Sequence, residues 1–204
     1  MKKRFVLDGP PGSGKSTVLF GISDGATDNG FAHTMKILGY NCIHESVAEA
    51  NEIMQQKGID FTKETDAWLQ TIVEIDKDKY FSVKNGINFF DRCFHHWKLL
   101  SKVSGIKLPE WYDDLNARLK YDDPIFLIAP VESMDLTDPS IPASRRFSWD
   151  ERLSIYEDTK KMYVDLGYKV IDVPVFIDGD VERNNQERIR HILKYIDQSL
   201  LKGN

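Results

Sequence analysis

The segment Gly9-Pro10-Pro11-Gly12-Ser13-Gly14-Lys15-Ser16, with Thr17 directly behind it, combines the residue types needed to hold a polyphosphate. It fits G-x-x-x-x-G-K-[ST] in full, the pattern of a phosphate-binding loop, or P-loop. Glycines let successive backbone amides turn inward as an anion nest, and the N-terminus of a following helix adds partial positive charge. On this reading Lys15 bridges the β- and γ-phosphates of a nucleoside triphosphate, Ser16 ligates Mg²⁺, and Thr17 offers a second hydroxyl near the α-phosphate. Context supports the motif, because an apolar run at 4–8 directly precedes it and a helical pattern directly follows.

A phosphate loop calls for a carboxylate on a neighbouring strand to position the metal through its water shell. Asp91 closes the apolar run Ile87-Asn88-Phe89-Phe90, so Ser16 and Asp91 are the candidate Mg²⁺ ligands. A strand-terminal Asp can also cap the next helix. Arg92 follows it, and such a pair can direct one group to the metal and the other to an anionic or hydroxylic substrate. Glu45 ends another apolar run, where a general base for a substrate hydroxyl belongs, although an acid there also suits the dipole of a helix starting at Ser46. The choice of base between Glu45 and Asp91 stays open. Arg145 and Arg146 close a loop rich in proline and hydroxyls, and one of them is expected to meet the charge that develops on a transferred phosphoryl group. The sequence does not choose between the two. His95, His96 and Trp97 follow Asp91-Arg92; Trp97 suits packing or stacking on a ring, and the histidines suit hydrogen bonding. Trp111 and Tyr112 either line the same cleft or brace the segment around them.

The elements that must position these residues read as an α/β pattern. Five apolar runs, at 4–8, 41–45, 87–91, 125–129 and 169–173, alternate with helical spacing, which predicts a parallel sheet covered by helices on both faces. The helical stripes are Val47, Ala50 and Met54; Trp68, Ile72 and Ile75; Ile155, Met162 and Leu166; and Ile189, Ile192, Leu193, Ile196 and Leu200. Ser148 with Glu151 three residues on is a capping box that starts the helix of the third stripe. With 204 residues, 41% of them hydrophobic, the chain reads as one domain, 1–204. Insertions are expected near 24–30, a Gly/Asp-rich loop, and near 98–123, with a lid near 131–148.

A net charge of −5 counts against a polyanion as main partner, so nucleic acid is not favoured. The two cysteines, Cys42 and Cys93, have no metal-ligand spacing and read as buried free thiols of a reducing, cytoplasmic setting. Met1-Lys2-Lys3-Arg4 is basic, but Asp8 and Gly9 interrupt the apolar run behind it, so it starts a strand rather than an export segment. No apolar stretch approaches the ~20 residues of a membrane span.

Taken in order, several short stretches resemble a known group. They are Val6-Leu7-Asp8-Gly9 leading into Gly12-Ser13-Gly14-Lys15-Ser16-Thr17, then His44-Glu45-Ser46-Val47-Ala48-Glu49, Phe89-Phe90-Asp91-Arg92, 125–130, an arginine at 145 or 146, and 166–174. The chain is similar to the small P-loop ATPase/kinase family described as AAA-like, which includes the nicotinamide riboside kinase domain of a bacterial NAD regulator. The resemblance implies a nucleoside/nucleotide-kinase-like three-layer fold with strand order 2-3-1-4-5, ATP and Mg²⁺ as ligands, and a phosphoryl-transfer site. It does not extend to the hexameric unfoldases, since no sensor segment follows. The expected activity is transfer of the γ-phosphate of ATP to a small hydroxyl or phosphate acceptor, of nucleoside, nucleotide or related type. Two alternatives stay open: a kinase acting on a nucleic-acid end or a modified DNA base, and a nucleotide-dependent switch with a protein partner.

Overall fold

The structure, a computed structural model, describes residues 1–21, 34–134, 137 and 146–201, with side chains through 196. The expected insertion at 24–30, Arg145 and most of the expected lid lie outside the described residues, as does the Leu200 side chain. Five parallel strands, β1 Lys2–Asp8, β2 Asn41–Ile43, β3 Gly86–Asp91, β4 Ile125–Ile128 and β5 Val170–Val173, pair in the order 2-3-1-4-5. Among the described residues, seven helices lie between and after them: α1 Lys15–Phe20, α2 Val47–Gln56, α3 Thr65–Ser82, α4 His96–Ser104, α5 Tyr112–Arg118, α6 Trp149–Asp165 and α7 Val181–Leu201. No helix among the described residues is long and apolar enough to cross a membrane.

Strand alternation explains the layers. In β1, Phe5 and Leu7 join a cluster with Val18, Leu19, Ile189, Ile192 and Ile196 of α1 and α7. Val6, between them, belongs to a cluster with residues of α2, α3, α4 and α6. Successive side chains of a strand point to opposite faces, so the central strand is apolar on both. The rule continues into its polar end. Asp8 shares the face of Val6 and points toward α4 and α6; Asp91 shares the face of Phe89, which packs with the α1 cluster.

Register sets the height. Leu7 is level with Asp91 on β3, and the Arg92 amide donates to Leu7 O at 2.9 Å. The chain therefore leaves β1 and β3 side by side, about 4.8 Å apart. β2 ends two residues before Glu45, because it is an edge strand paired only with β3.

The helical stripes hold in part. Ala50, Met54, Ile72, Ile192 and Ile196 are buried as expected. Leu166 is not: it is 41% exposed at the end of α6, whose core face is formed by Tyr156, Thr159 and Tyr163. An aromatic and a hydroxyl stripe carries no strong apolar period, which is why spacing of aliphatic residues misplaces that face. The α6 cap is as the sequence implies, with the Ser148 side chain accepting from the Glu151 amide and Glu151 accepting from the Ser148 amide. Residues 98–123 contribute α4 and α5, and their aromatics are structural: Tyr112 is fully buried, stacks on Phe94 and donates its hydroxyl hydrogen to Phe94 O.

Candidate active site

The loop between β1 and α1 needs glycine where the chain crowds. A Cβ on Gly9 would lie 2.4 Å from Ile128 O of β4, and Gly9 has φ +148°. Gly14 caps α1 at φ +84°, in the left-handed region that a side chain disfavours. The side chain of Lys15 is buried and turned back into the loop. Its Nζ donates to Gly9 O at 2.8 Å and Pro10 O at 3.1 Å, with Ser13 Oγ at 3.4 Å. Burial, reinforced by the Arg92 charge, lowers its pKa to about 8, against the opposing pull of Asp91, Asp8 and Glu45. Such an ammonium is poised for an anion that would restore its charge balance.

Ser16 and Asp91 meet across the sheet edge. The Ser16 hydroxyl donates to Asp91 Oδ2 at 2.6 Å, while Asp91 Oδ1 is buried with no hydrogen-bond partner among the described residues. Burial raises the Asp91 pKa above the usual carboxylate value, with Lys15 pulling against it. A hydroxyl and a carboxylate with a spare oxygen fit Mg²⁺ that arrives with phosphates and keeps part of its water shell. Among the described residues no group of three or more His, Cys, Asp or Glu could hold a metal by itself. The pair thus suits a phosphate-borne ion rather than a protein-caged one.

Arg92 leaves β3 at φ +66°, the one described non-glycine residue with positive φ. That turn carries the guanidinium between two carboxylates, with Nη1 3.4 Å from Glu45 Oε2 and Nε 3.9 Å from Asp8 Oδ1. Burial works against the Arg92 charge, but Glu45, Asp8 and Asp91 outweigh it and raise its pKa. The Glu45 side chain is 35% exposed, so it faces both Arg92 and solvent.

Asp8 is the residue that sequence reasoning left without a role. It is fully buried; Oδ1 accepts the Gly9 amide at 2.7 Å, and Oδ2 accepts the Tyr163 hydroxyl at 2.7 Å with His96 Nδ1 at 3.1 Å. Burial would raise its pKa, yet His96, Arg92 and Lys15 together hold it well below the usual carboxylate range. The signal is a carboxylate directly after the apolar run Phe5-Val6-Leu7 and next to a glycine. His95 is also hydrogen-bonded, to Asn116 Oδ1 at 2.6 Å and the Tyr168 hydroxyl at 3.0 Å. Trp97 packs in the core and donates Nε1–H to Asp76. Cys93 is buried and Cys42 half-buried, both free. Arg146 is exposed.

Beside the loop, the segments after β4 and β5 enclose a cavity of about 200 Å³. Gly14 and Thr17 line it together with the apolar side chains of Val131, Met134, Ile177 and Val181, and with Arg188.

A family model described as an AAA domain matches residues 4–184. The chain belongs to this AAA-domain family. No curated protein matches its sequence. Among solved structures, the AAA-domain chain is similar in fold to a deoxyadenosine kinase from M. mycoides with bound dATP, at TM-score 0.60 and 16% identity over 96% of this chain and 99% of that one. It is likewise similar to thymidylate kinase from Ehrlichia chaffeensis, at TM-score 0.54 and 12% identity over 96% and 98% of the two chains. NadR in complex with NR matches at TM-score 0.54 and 18% identity over 92% of this chain and 50% of that chain. The AAA-domain fold here is that of P-loop kinases, as the strand order also states.

Proposed function

We propose that this protein is a phosphotransferase that moves the γ-phosphate of ATP to a hydroxyl of a small acceptor of nucleoside or nucleotide type. The observation that carries the reading is the Glu45–Arg92 pair, half-exposed at the same sheet edge as the Lys15, Ser16 and Asp91 cradle. A switch or a plain binding module needs the cradle; a carboxylate held beside it by a buried guanidinium is what an acceptor hydroxyl needs. The fold shared with deoxyadenosine and thymidylate kinases supports the acceptor class.

In this mechanism the loop amides and Lys15 hold the β- and γ-phosphates, and the apolar cavity beside Thr17 receives the nucleoside part of the donor. Ser16 and Asp91 would hold Mg²⁺, which would supply charge neutralisation on the phosphates. Glu45 takes the proton of the acceptor hydroxyl, whose oxygen bonds to the γ-phosphorus as the bond to the β,γ-bridging oxygen breaks, releasing ADP. Arg92 orients Glu45 through their ion pair. An arginine of the 131–148 segment, Arg145 or Arg146, meets the charge on the transferred group, within a single catalytic unit spanning 1–204.

The test is transfer of radiolabel from γ-labelled ATP to a panel of nucleosides, nucleotides and short oligonucleotides. Label on a nucleoside or nucleotide is expected, with Glu45→Gln lowering kcat by roughly a hundredfold or more while the KM for ATP stays within about threefold. Label on oligonucleotide ends alone would replace the acceptor class. Steady hydrolysis that no acceptor stimulates would replace transfer with a switch.

A further inference from the structure

Arg188 is absent from every motif above, yet it is 2% exposed and stands at the joint of three segments. Its Nη1 donates to Ser13 O of the phosphate loop at 2.5 Å, its Nη2 to Ala129 O just past β4 at 2.8 Å, and its Nε to Pro174 O just past β5 at 3.0 Å. All three acceptors are neutral main-chain carbonyls, and Arg188 has no ion pair among the described residues. Burial accordingly lowers its pKa to about 10, which still leaves it charged at neutral pH. A buried cation without a counter-charge is costly to keep, so its presence needs a reason.

The reason lies in the peptide it grips. In a trans peptide the carbonyl and the following amide point in opposite directions. A guanidinium that draws Ser13 C=O toward α7 therefore turns the Gly14 N–H away from α7. Gly14 makes this approach feasible, since a Cβ there would lie 3.2 Å from Arg188 Nη1 on a backbone already at φ +84°. Arg188 also lines the cavity, together with Gly14 and Thr17.

We propose that Arg188 is a positioning residue for nucleotide binding: it presets the Ser13–Gly14 peptide to present its amide to the ligand's phosphates, and fixes the phosphate loop against the segments that enclose the nucleoside cavity. This rests on the reading of residues 9–17 as a phosphate cradle, and not on the identity of the acceptor. Three nitrogens of one planar fork reach the three carbonyls, a spread that the single nitrogen of a lysine ammonium does not reproduce.

The experiment measures binding of inorganic tripolyphosphate to the full chain by calorimetry, with the Gly14 amide followed by NMR and ligand-free melting recorded alongside. Arg188→Lys and Arg188→Met are expected to bind tripolyphosphate at least tenfold more weakly while melting cooperatively, and their Gly14 amide is expected to lose the shift that tripolyphosphate induces in the wild type. Sub-denaturing guanidinium should recover part of the affinity of Arg188→Met. Wild-type affinity and an unchanged Gly14 shift in both variants would overturn the proposal, as would a lower melting temperature with affinity intact, which marks a structural role only. If neither variant folds, the wild-type chain decides: tripolyphosphate should slow exchange of the Arg188 Nε–H and move the Gly14 amide, and a freely exchanging guanidinium or an unmoved amide refutes the assignment. Lys15→Ala separates the two readings. If it too binds tripolyphosphate as the wild type does, the cradle itself is misassigned; if it alone loses binding, only the role of Arg188 falls.

Discussion

Replacing Lys15 with methionine should make the ligand-free protein more stable while removing its hold on triphosphate. The ammonium is buried and its pKa falls from 10.5 to about 8. At ~1.36 kcal/mol per pH unit, keeping that charge at neutral pH costs about 3 kcal/mol. Methionine has a similar length and no charge, but it leaves the Gly9 and Pro10 carbonyls without a donor, at about 1 kcal/mol each. The balance is a gain of about 1 kcal/mol, or a melting temperature about 2–4 °C higher for a chain of this size. The pH dependence fixes the cause. Because the folded pKa lies below the unfolded one, the unfolded wild type binds the extra proton between about 8 and 10.5, and wild-type stability rises with pH across that window. The lead of Lys15→Met should therefore close as pH climbs past about 8. Differential scanning calorimetry from pH 7 to 10, with and without Mg·ATP, reads both effects, and the ligand should raise melting of the wild type only. A variant that melts well below wild type without ligand, or a gap indifferent to pH, would refute the argument that a strained ammonium waits for an anion.

Other consequences are as direct. Arg92→Ala leaves Asp8 and Glu45 without their guanidinium and should cost about 3 kcal/mol in denaturant unfolding. Arg92→Gly should cost about 1 kcal/mol less, since φ +66° is free of strain for glycine; equal losses would remove the strain from the account. Asp91→Asn preserves shape at a site where burial already disfavours the carboxylate, so ligand-free melting should hold within about 2 °C. Calorimetry should then show that Mg²⁺ no longer strengthens ATP binding to Asp91→Asn. Triphosphate affinity of the wild type should fall above pH about 8 as Lys15 loses its proton, with proton uptake on binding at pH 8.5 detected as a buffer-dependent enthalpy; buffer-independent heats would contradict it.

Much of this architecture is legible in the chain itself, because strong local signals coincide with global ones. The apolar runs are strands since a parallel sheet buried on both faces has no polar alternation to obscure it. The loop at 9–17 is legible since its glycines answer to backbone geometry, and Asp91 and Glu45 since both close apolar runs that end at the same sheet edge. The sequence does not show the roles of side chains that act only after distant segments meet. Asp8 gains its role from His96 on α4 and Tyr163 on α6, and Arg188 gains its role from carbonyls 14, 59 and 175 residues away. A faint trace of Arg188 is present even so, as a charge four residues before Ile192 on the buried stripe of α7. Leu166 was misplaced because α6 buries Tyr156, Thr159 and Tyr163 to complete polar contacts rather than an aliphatic seam.

The central claim is that triphosphate and its metal settle between the loop at 9–17 and the end of β3. Paramagnetic broadening of backbone amides by substoichiometric Mn²⁺·ATP tests it in one measurement. Broadening should be strongest at Ser16, Thr17 and Asp91 and should decline along β3 toward Gly86, about 16 Å away at ~3.3 Å per residue. Broadening centred on any other part of the chain, or none at Ser16 and Asp91, would contradict the account.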